Sequence, residues 1–262
     1  MLPFPLAADE AIAVEAEALP PTQENTHRQY NPEIELEVGL THEDITKVGA
    51  SAWRRHYIEG VYRYDRRKTL YGQIQRTDRF NIRDKELIGG IYYPLSTRSI
   101  GVLEISHSPS HHALADKSIF GQFEITLRNG WGIHLGHRFR NYPDTRVNIS
   151  SATVERYFGD YRGAYTLNKS TLSQTGLRTS HRLLLNRYYG SSHSTGIVLT
   201  QGQEAEFIPS SQTTIDFDVR ALSIVGRYWL NDDWAISYVF NLHEQGDSYT
   251  RRGITLGLRR KY

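Results

Sequence analysis

Two groups of residues in this 262-residue chain have the types and spacing to do chemistry. The first is rich in histidine. His107, Ser108, Ser110, His111 and His112 crowd one polar stretch, and His181 and His193-Ser194 follow later. Serine, histidine and an acid can form a hydrolytic triad, in which the nucleophile is hydrogen-bonded to a base that a third group orients. No motif here fixes such a trio. A His-x3-His-His spacing suits a metal on a helix, yet these residues fall in a predicted loop. Polar side chains in contact with water are what spacing supports, because catalytic roles rest on geometry. No catalytic residue, metal or cofactor is therefore expected.

The second group is larger and more regular. Arg55, Tyr57, Glu59 and Arg63 stand at alternate positions, as do Glu155 and Tyr157, Arg178 and Arg182, and Asp216, Asp218 and Arg220. Glu104, Glu124, Arg128, Arg138, Arg162, Tyr71, Tyr92 and Tyr228 are set in the same way against apolar neighbours. Side chains two apart share one face of a strand. A face of Arg and Tyr suits acidic or neutral saccharides, through bidentate hydrogen bonds and flat ring surfaces. Composition narrows what could carry such a face. The absence of Cys excludes a disulfide scaffold, a CxxC zinc site and a cysteine nucleophile. At 39% hydrophobic residues, no stretch approaches the ~20 apolar residues of a membrane-spanning helix. Basic residues alternate with acids, 31 against 29, so no stripe for nucleic acid is present.

Met1 to Ala8, MLPFPLAA, resembles the end of a secretory signal peptide without its basic region. Residues 9–29 run acidic and Ala-rich, with Pro20-Pro21 closing any short helix. Residues 1–30 are thus expected to be an export-signal-like stub and an acidic, mobile periplasmic tail, and residues 31–262 one barrel domain.

From Glu33 onward the apolar period is 2, the strand signature. Ile34, Leu36, Val38 and Leu40 share one parity, as do Ile119, Phe123, Ile125 and Leu127, then Trp131, Ile133, Leu135 and Phe139. Ile215, Phe217, Val219, Ala221 and Val225 read the same way, followed by Trp234, Ile236, Tyr238, Phe240 and Leu242. About fourteen such runs can be marked, with twelve as the next count if the first run or one of the weak runs at 97–107 and 193–202 fails to pair. Connections after even-numbered runs are tight: Asp65 to Arg67, Leu95-Ser96, Asn129-Gly130, Gly159-Asp160, Tyr189 to Ser192, Asn231-Asp232. Those after odd-numbered runs are mostly longer, as in Ser108 to Asp116, Thr171 to Gln174, Gln203 to Gln212 and Gln245 to Tyr249. A sandwich has no reason to sort its loops by length. An outer-membrane barrel does, with short periplasmic turns, longer extracellular loops, an even strand count and apolar-out, polar-in alternation. Aromatics beside the turns, among them Tyr62, Tyr64, Tyr93, Trp131, Tyr142, Phe158, Tyr161, Tyr188, Trp229 and Trp234, fit an interfacial girdle.

The fold expected is therefore all-β: one antiparallel transmembrane barrel whose lumen carries the Arg, acid and Tyr set. If those charges pair across neighbouring strands they fill a closed interior; if they segregate they line a pore, and an intermediate strand number decides neither. The chain ends with Ile254, Leu256, Leu258, Arg260 and Tyr262 on one face. A terminal aromatic after alternating apolar positions looks like the assembly signal that barrel-insertion machinery reads. Arg260 departs from that pattern, and near an interface it can snorkel.

Val154-Glu-Arg-Tyr-Phe-Gly-Asp-Tyr-Arg162, Tyr228-Trp-Leu-Asn-Asp-Asp-Trp234 and Gly257-Leu258-Arg259 give residues 31–262 a resemblance to the YaiO family of outer-membrane β-barrels. The resemblance implies a barrel without a catalytic signature, in some relatives joined to helical repeats and suspected to serve surface polysaccharide. The expectation is a non-enzymatic barrel in the outer membrane of a Gram-negative bacterium, passing or binding a polar solute such as a saccharide. Its expected partners are outer-membrane lipids, lipopolysaccharide and the assembly machinery. The alternatives are a lipid- or saccharide-modifying enzyme at the outer rim, and a closed barrel acting through its loops.

Overall fold

A strand with apolar residues on one face and polar ones on the other buries nothing alone; paired on both edges in a closed ring, it leaves no free edge. In the computed structural model of the chain, fourteen such strands close antiparallel into one barrel. The residues described are 31–46, 52–79, 82–143, 145–172, 176–190, 192–208, 213–247 and 249–262, and the side chains of 204–217 are excepted. The stub and tail at 1–30 lie outside them. The strands are β1 Glu33–Thr46, β2 Trp53–Asp65, β3 Lys68–Arg79, β4 Ile82–Pro94, β5 Ser99–His107, β6 Lys117–Thr126 and β7 Trp131–Asn141. They continue as β8 Arg146–Phe158, β9 Tyr161–Leu172, β10 Arg178–Tyr189, β11 His193–Ile208, β12 Thr213–Trp229, β13 Trp234–Gln245 and β14 Tyr249–Lys261. The count is fourteen rather than twelve, because the first run and both weak runs pair on both edges.

Each strand pairs with its neighbours in sequence, and the ring closes where β1 meets β14, from Glu35↔Lys261 to Thr46↔Thr250. The amide of Tyr262 extends that ladder with a bond to the Ile34 carbonyl. At one end of the barrel the connections are tight turns. Asn129 and Gly130, with φ of 59° and 76°, adopt the left-handed conformation that a tight hairpin of this hand needs. At the other end three links are longer than any of these turns, β1–β2, β5–β6 and β9–β10, and the one between Arg79 and Ile82 is among the shortest. The stretch Gln203 to Gln212, expected as a loop, is in good part strand, because β11 and β12 continue their ladder to Ile208↔Thr213.

Outward-facing positions carry Ile58, Ile74, Leu87, Leu103, Ile119, Leu135, Leu183 and Leu256, all exposed. That inverts a soluble protein and matches a lipid-facing band. Tyr62, Tyr93, Trp131, Phe158 and Tyr161 stand exposed at its turn end. Tyr142 instead packs beside buried Val147 and Leu172. Inside, two Tyr rings lie flat over glycines of the adjacent strand, Tyr57 over Gly39 and Tyr71 over Gly90, where a Cβ would run into the ring. This is aromatic rescue of a strand glycine, and it fixes local register.

One parity differs from expectation. On β12 Val219 and Val225 are buried inside, while Leu222 and Ile224 are exposed. This strand offers apolar residues at both parities, so its own pattern cannot choose. Pairing chooses: Leu222 lies opposite Leu242 and Ile224 opposite Phe240, which places apolar partners together on the lipid side.

Candidate functional site

The inner wall is built around acids that neighbouring strands neutralise. At the closing seam, Arg259 of β14 donates to Glu35 at 2.6 Å, to Glu37 at 2.5 Å and to Glu59 at 2.8 Å. Arg63 holds the other oxygen of Glu35. The Tyr57 hydroxyl and Ser237 donate to Glu37, at 2.6 and 2.9 Å. Six residues further along β1 toward the loop end, Asn241 donates to Glu43, with Arg251 3.6 Å from the same carboxylate. Two smaller clusters lie further round. Glu104 accepts from Tyr71 and Arg138, and Glu155 is shared by Arg162 at 2.7 Å and His134 at 3.1 Å. Each of these pairs joins strands no more than two apart. These charges pair along the wall, between strands that lie side by side or one strand apart.

A cavity of about 110 Å³ opens inside the seam network, lined among others by Trp53, Tyr57, Arg55, Gln73, Glu43 and Asn241. Arg55 has no ion pair among the described residues. Its guanidinium carbon stands 5.5 Å from the centre of the Tyr57 ring. Trp53, with 1% of its surface exposed, forms the cavity's apolar side and carries Arg79 and Arg251 over its ring at 4.8 and 5.0 Å.

At the loop end the β5–β6 connection folds inward. Asp84 of β4 is fully buried, and its carboxylate accepts the backbone N–H groups of His112, Ala113 and Leu114. Ala113, Leu114 and Ala115 are buried with it, so the connection narrows the mouth on this side. Burial would raise the Asp84 carboxyl, but the bonds from Ala113, Leu114 and His112 prevail and hold it below the usual carboxylate range.

Of the residues singled out in the sequence, Arg55, Tyr57, Glu59, Arg63, Glu104, Glu124, Arg138, Glu155, Tyr157, Arg162, Arg178 and Arg182 fall at positions of the inward parity. Tyr71 and Tyr92 are on the same wall, 5.9 Å apart between ring centres. Glu124 accepts from Gln122, and Arg178 donates to its neighbour's carbonyl, that of Leu177. Four positions correct the expectation. Asp218 and Arg220 are exposed on the outside, and Tyr228 is 48% exposed there and stacked on His193, all through the parity of β12. Arg128 sits exposed in a turn, not in the lumen, because the strand before it ends at Thr126. The side chain of Asp216 lies outside the described residues.

Sequence reasoning passed over Arg259, Arg251, His134 and the β1 acids Glu35, Glu37 and Glu43. The signal existed, since these acids alternate with Ile34, Leu36 and Val38, and Arg259 alternates with Leu258 and Arg260. The histidines assemble no triad among the described residues. The His111 ring meets the backbone carbonyl of Ser108, and His112 meets Asp84. His181 faces Tyr165. A Ser–His contact, Ser150 to His137 at 3.0 Å, is exposed on the outer face and no acid is seen to orient the ring. No group of His, Cys, Asp and Glu among the described residues could hold a metal.

None of the curated proteins compared with the chain matches it. Among solved structures, a bacterial polysaccharide outer membrane secretin is similar with a TM-score of 0.54 and 8% identity, over 87% of this chain and 98% of that one. OpdQ of Pseudomonas aeruginosa follows at 0.50 and 8%, over 88% and 98%. At such identities the likeness is one of fold. The family model for the YaiO membrane beta barrel domain matches residues 33–205, from the first strand into the eleventh. The closed ring of fourteen strands agrees with it, and the chain belongs to the YaiO membrane β-barrel family.

Proposed function

We propose that the protein is a non-enzymatic barrel of a Gram-negative outer membrane, turns toward the periplasm and loops outward, whose lumen passes or binds a polar solute of the saccharide class. One observation carries this reading: the inner charges neutralise one another along the wall, leaving a cavity faced by Trp53, Tyr57 and Arg55. Flat aromatic faces beside a guanidinium suit sugar rings and their hydroxyl or carboxylate groups. Purified barrel in a planar bilayer should give discrete conductance steps, and a soluble oligosaccharide should reduce the current. Arg55→Gln should change the anion-to-cation permeability ratio roughly two- to threefold, since charges lining a pore set ion preference. Absence of conductance, with no saccharide binding by the purified barrel, would refute the proposal. A rim enzyme is the rival; phospholipid or glycolipid hydrolysis abolished by Ser150→Ala would favour it instead.

The last strand supports a second element of the proposal, recognition by barrel-insertion machinery. Tyr262 is 60% exposed, and the Arg260 guanidinium lies 4.6 Å from its ring, a lipid-facing anchor at the turn-end interface. Deleting Tyr262 should lower the folded yield in outer membranes severalfold, more than deleting residues 9–29 does, and heat-modifiable gel mobility would read both. An unchanged yield on losing Tyr262 would argue against this role.

A further inference from the structure

The outer face of the barrel is not uniform at its loop end. Above the apolar band on β2, β3, β4 and β6 stand Arg54, Arg76, Arg83, Lys85 and Lys117, all exposed, against two acids, Asp78 and Asp116, the second of them 3.3 Å from His107. The outward positions at the same height on β1, β12, β13 and β14 carry Asp44, Asp218 and Glu244 against Arg220 and Arg252. Further round, Arg146 of β8 and Lys169 of β9 face outward singly, so the cations are most closely grouped on β3, β4 and β6.

The arrangement within the patch is itself unfavourable to the barrel. Arg76 and Lys85 are directly opposite each other on β3 and β4, and like charges so placed destabilise a sheet. Asp78 compensates only in part: it takes Arg83 at 2.7 Å and Arg76 at 3.3 Å. The ammonium groups of Lys85 and Lys117 have no acid partner among the described residues. Directly below, toward the membrane centre, Ile58, Ile74, Leu87 and Ile119 are between 53% and 63% exposed, an apolar slope continuous with the cations.

We infer that this face holds a phosphorylated glycolipid of the outer leaflet, its phosphates against Arg76, Lys85 and Lys117 and its acyl chains along the isoleucine and leucine slope. Ammonium and guanidinium groups bind phosphate oxygens through charge-assisted hydrogen bonds, which are stronger than neutral ones. Two cationic centres, one on β3 and β4 and one on β6, lie about two strand spacings apart, or roughly 10 Å. That separation fits a headgroup with two phosphates better than a phospholipid with one. The choice of leaflet rests on the orientation proposed above, loops outward.

Native mass spectrometry of the full-length barrel in detergent tests this with three probes: a diphosphorylated lipid A, its monophosphorylated form and phosphatidylglycerol. The diphosphorylated form should bind best. A Lys85→Gln, Arg76→Gln, Lys117→Gln variant should lose it by about tenfold or more, since the charge-assisted bonds to both phosphates are removed together. Arg252→Gln, on β14 outside the patch, should retain it. Heat-modifiable mobility confirms that both variants are folded. Undiminished lipid A binding by the triple variant would overturn the inference, as would phosphatidylglycerol binding equally well and being lost equally. These side chains point away from the lumen, so conductance should match the parent's, and silence in the bilayer leaves the lipid result standing. Orientation is read separately, by protease access to residues 108–116 on intact cells.

Discussion

Arg259→Met should cost the barrel about 3–5 kcal/mol, the range for removing one partner of a buried ion pair. Arg259 is 4% exposed and touches Glu35, Glu37 and Glu59 together. Without it, three carboxylates on β1 and β2 lose the cation they share, with Arg63, Tyr57 and Ser237 left to support Glu35 and Glu37. The loss falls at the joint between first and last strands, the last ladder available to close the ring. Urea titration followed by heat-modifiable mobility should show an earlier midpoint and a lower folded yield. Adding Glu35→Gln and Glu37→Gln to Arg259→Met should restore part of it, because the uncompensated charge is then gone. Arg259→Lys should be intermediate, since an ammonium lacks the planar fork that reaches three acceptors. If Arg259→Met unfolds at the parent's midpoint, the network is not what holds the seam.

The strand count, the polar lining and the apolar exterior were legible because a period of two repeats in nearly every strand. β12 shows where that legibility ends. Val219, Ala221 and Val225 compete with Leu222 and Ile224, and only the partner residues on β13 decide which set meets lipid. A register is a property of two strands, and one strand's pattern carries half of it. The seam network was illegible for a related reason. Glu35 and Glu37 lie more than two hundred residues from Arg259, so only ring closure makes them neighbours. The last six residues of β11, Gln203 to Ile208, read as a loop because their polar composition resembles one, whereas continued ladder bonds keep them extended. The histidine stretch reads as a loop and is one, but nothing in the pattern of β4 points to Asp84 as its anchor, twenty-eight residues before His112.

That anchor sets the second large effect. Asp84→Asn nearly preserves shape while replacing one carboxylate oxygen by an NH2 group that can only donate, so whichever way the amide turns, either Ala113 and Leu114 or His112 face a donor, and every bond that remains loses the charge. Hydrogen bonds to a charged group contribute about 1.5–3 kcal/mol each. Hydrogen-exchange protection of the Ala113 and Leu114 amides should therefore fall by roughly 10- to 100-fold. The pH dependence has a definite sign. Asp84's carboxyl is held below its ordinary value in the folded barrel, so the stability it contributes is complete above the ordinary carboxylate pKa of about 3.9. It is lost only as the pH falls through the lower, folded value. The loop should accordingly stay tethered at pH 5, and release in the parent should need stronger acid. Asp84→Asn should be released at every pH, with larger or noisier conductance if the loop narrows the mouth. Equal protection of Ala113 and Leu114 in parent and variant at neutral pH would show that the buried alanines and Leu114 hold the loop by packing, and that the carboxylate merely occupies the space beneath it.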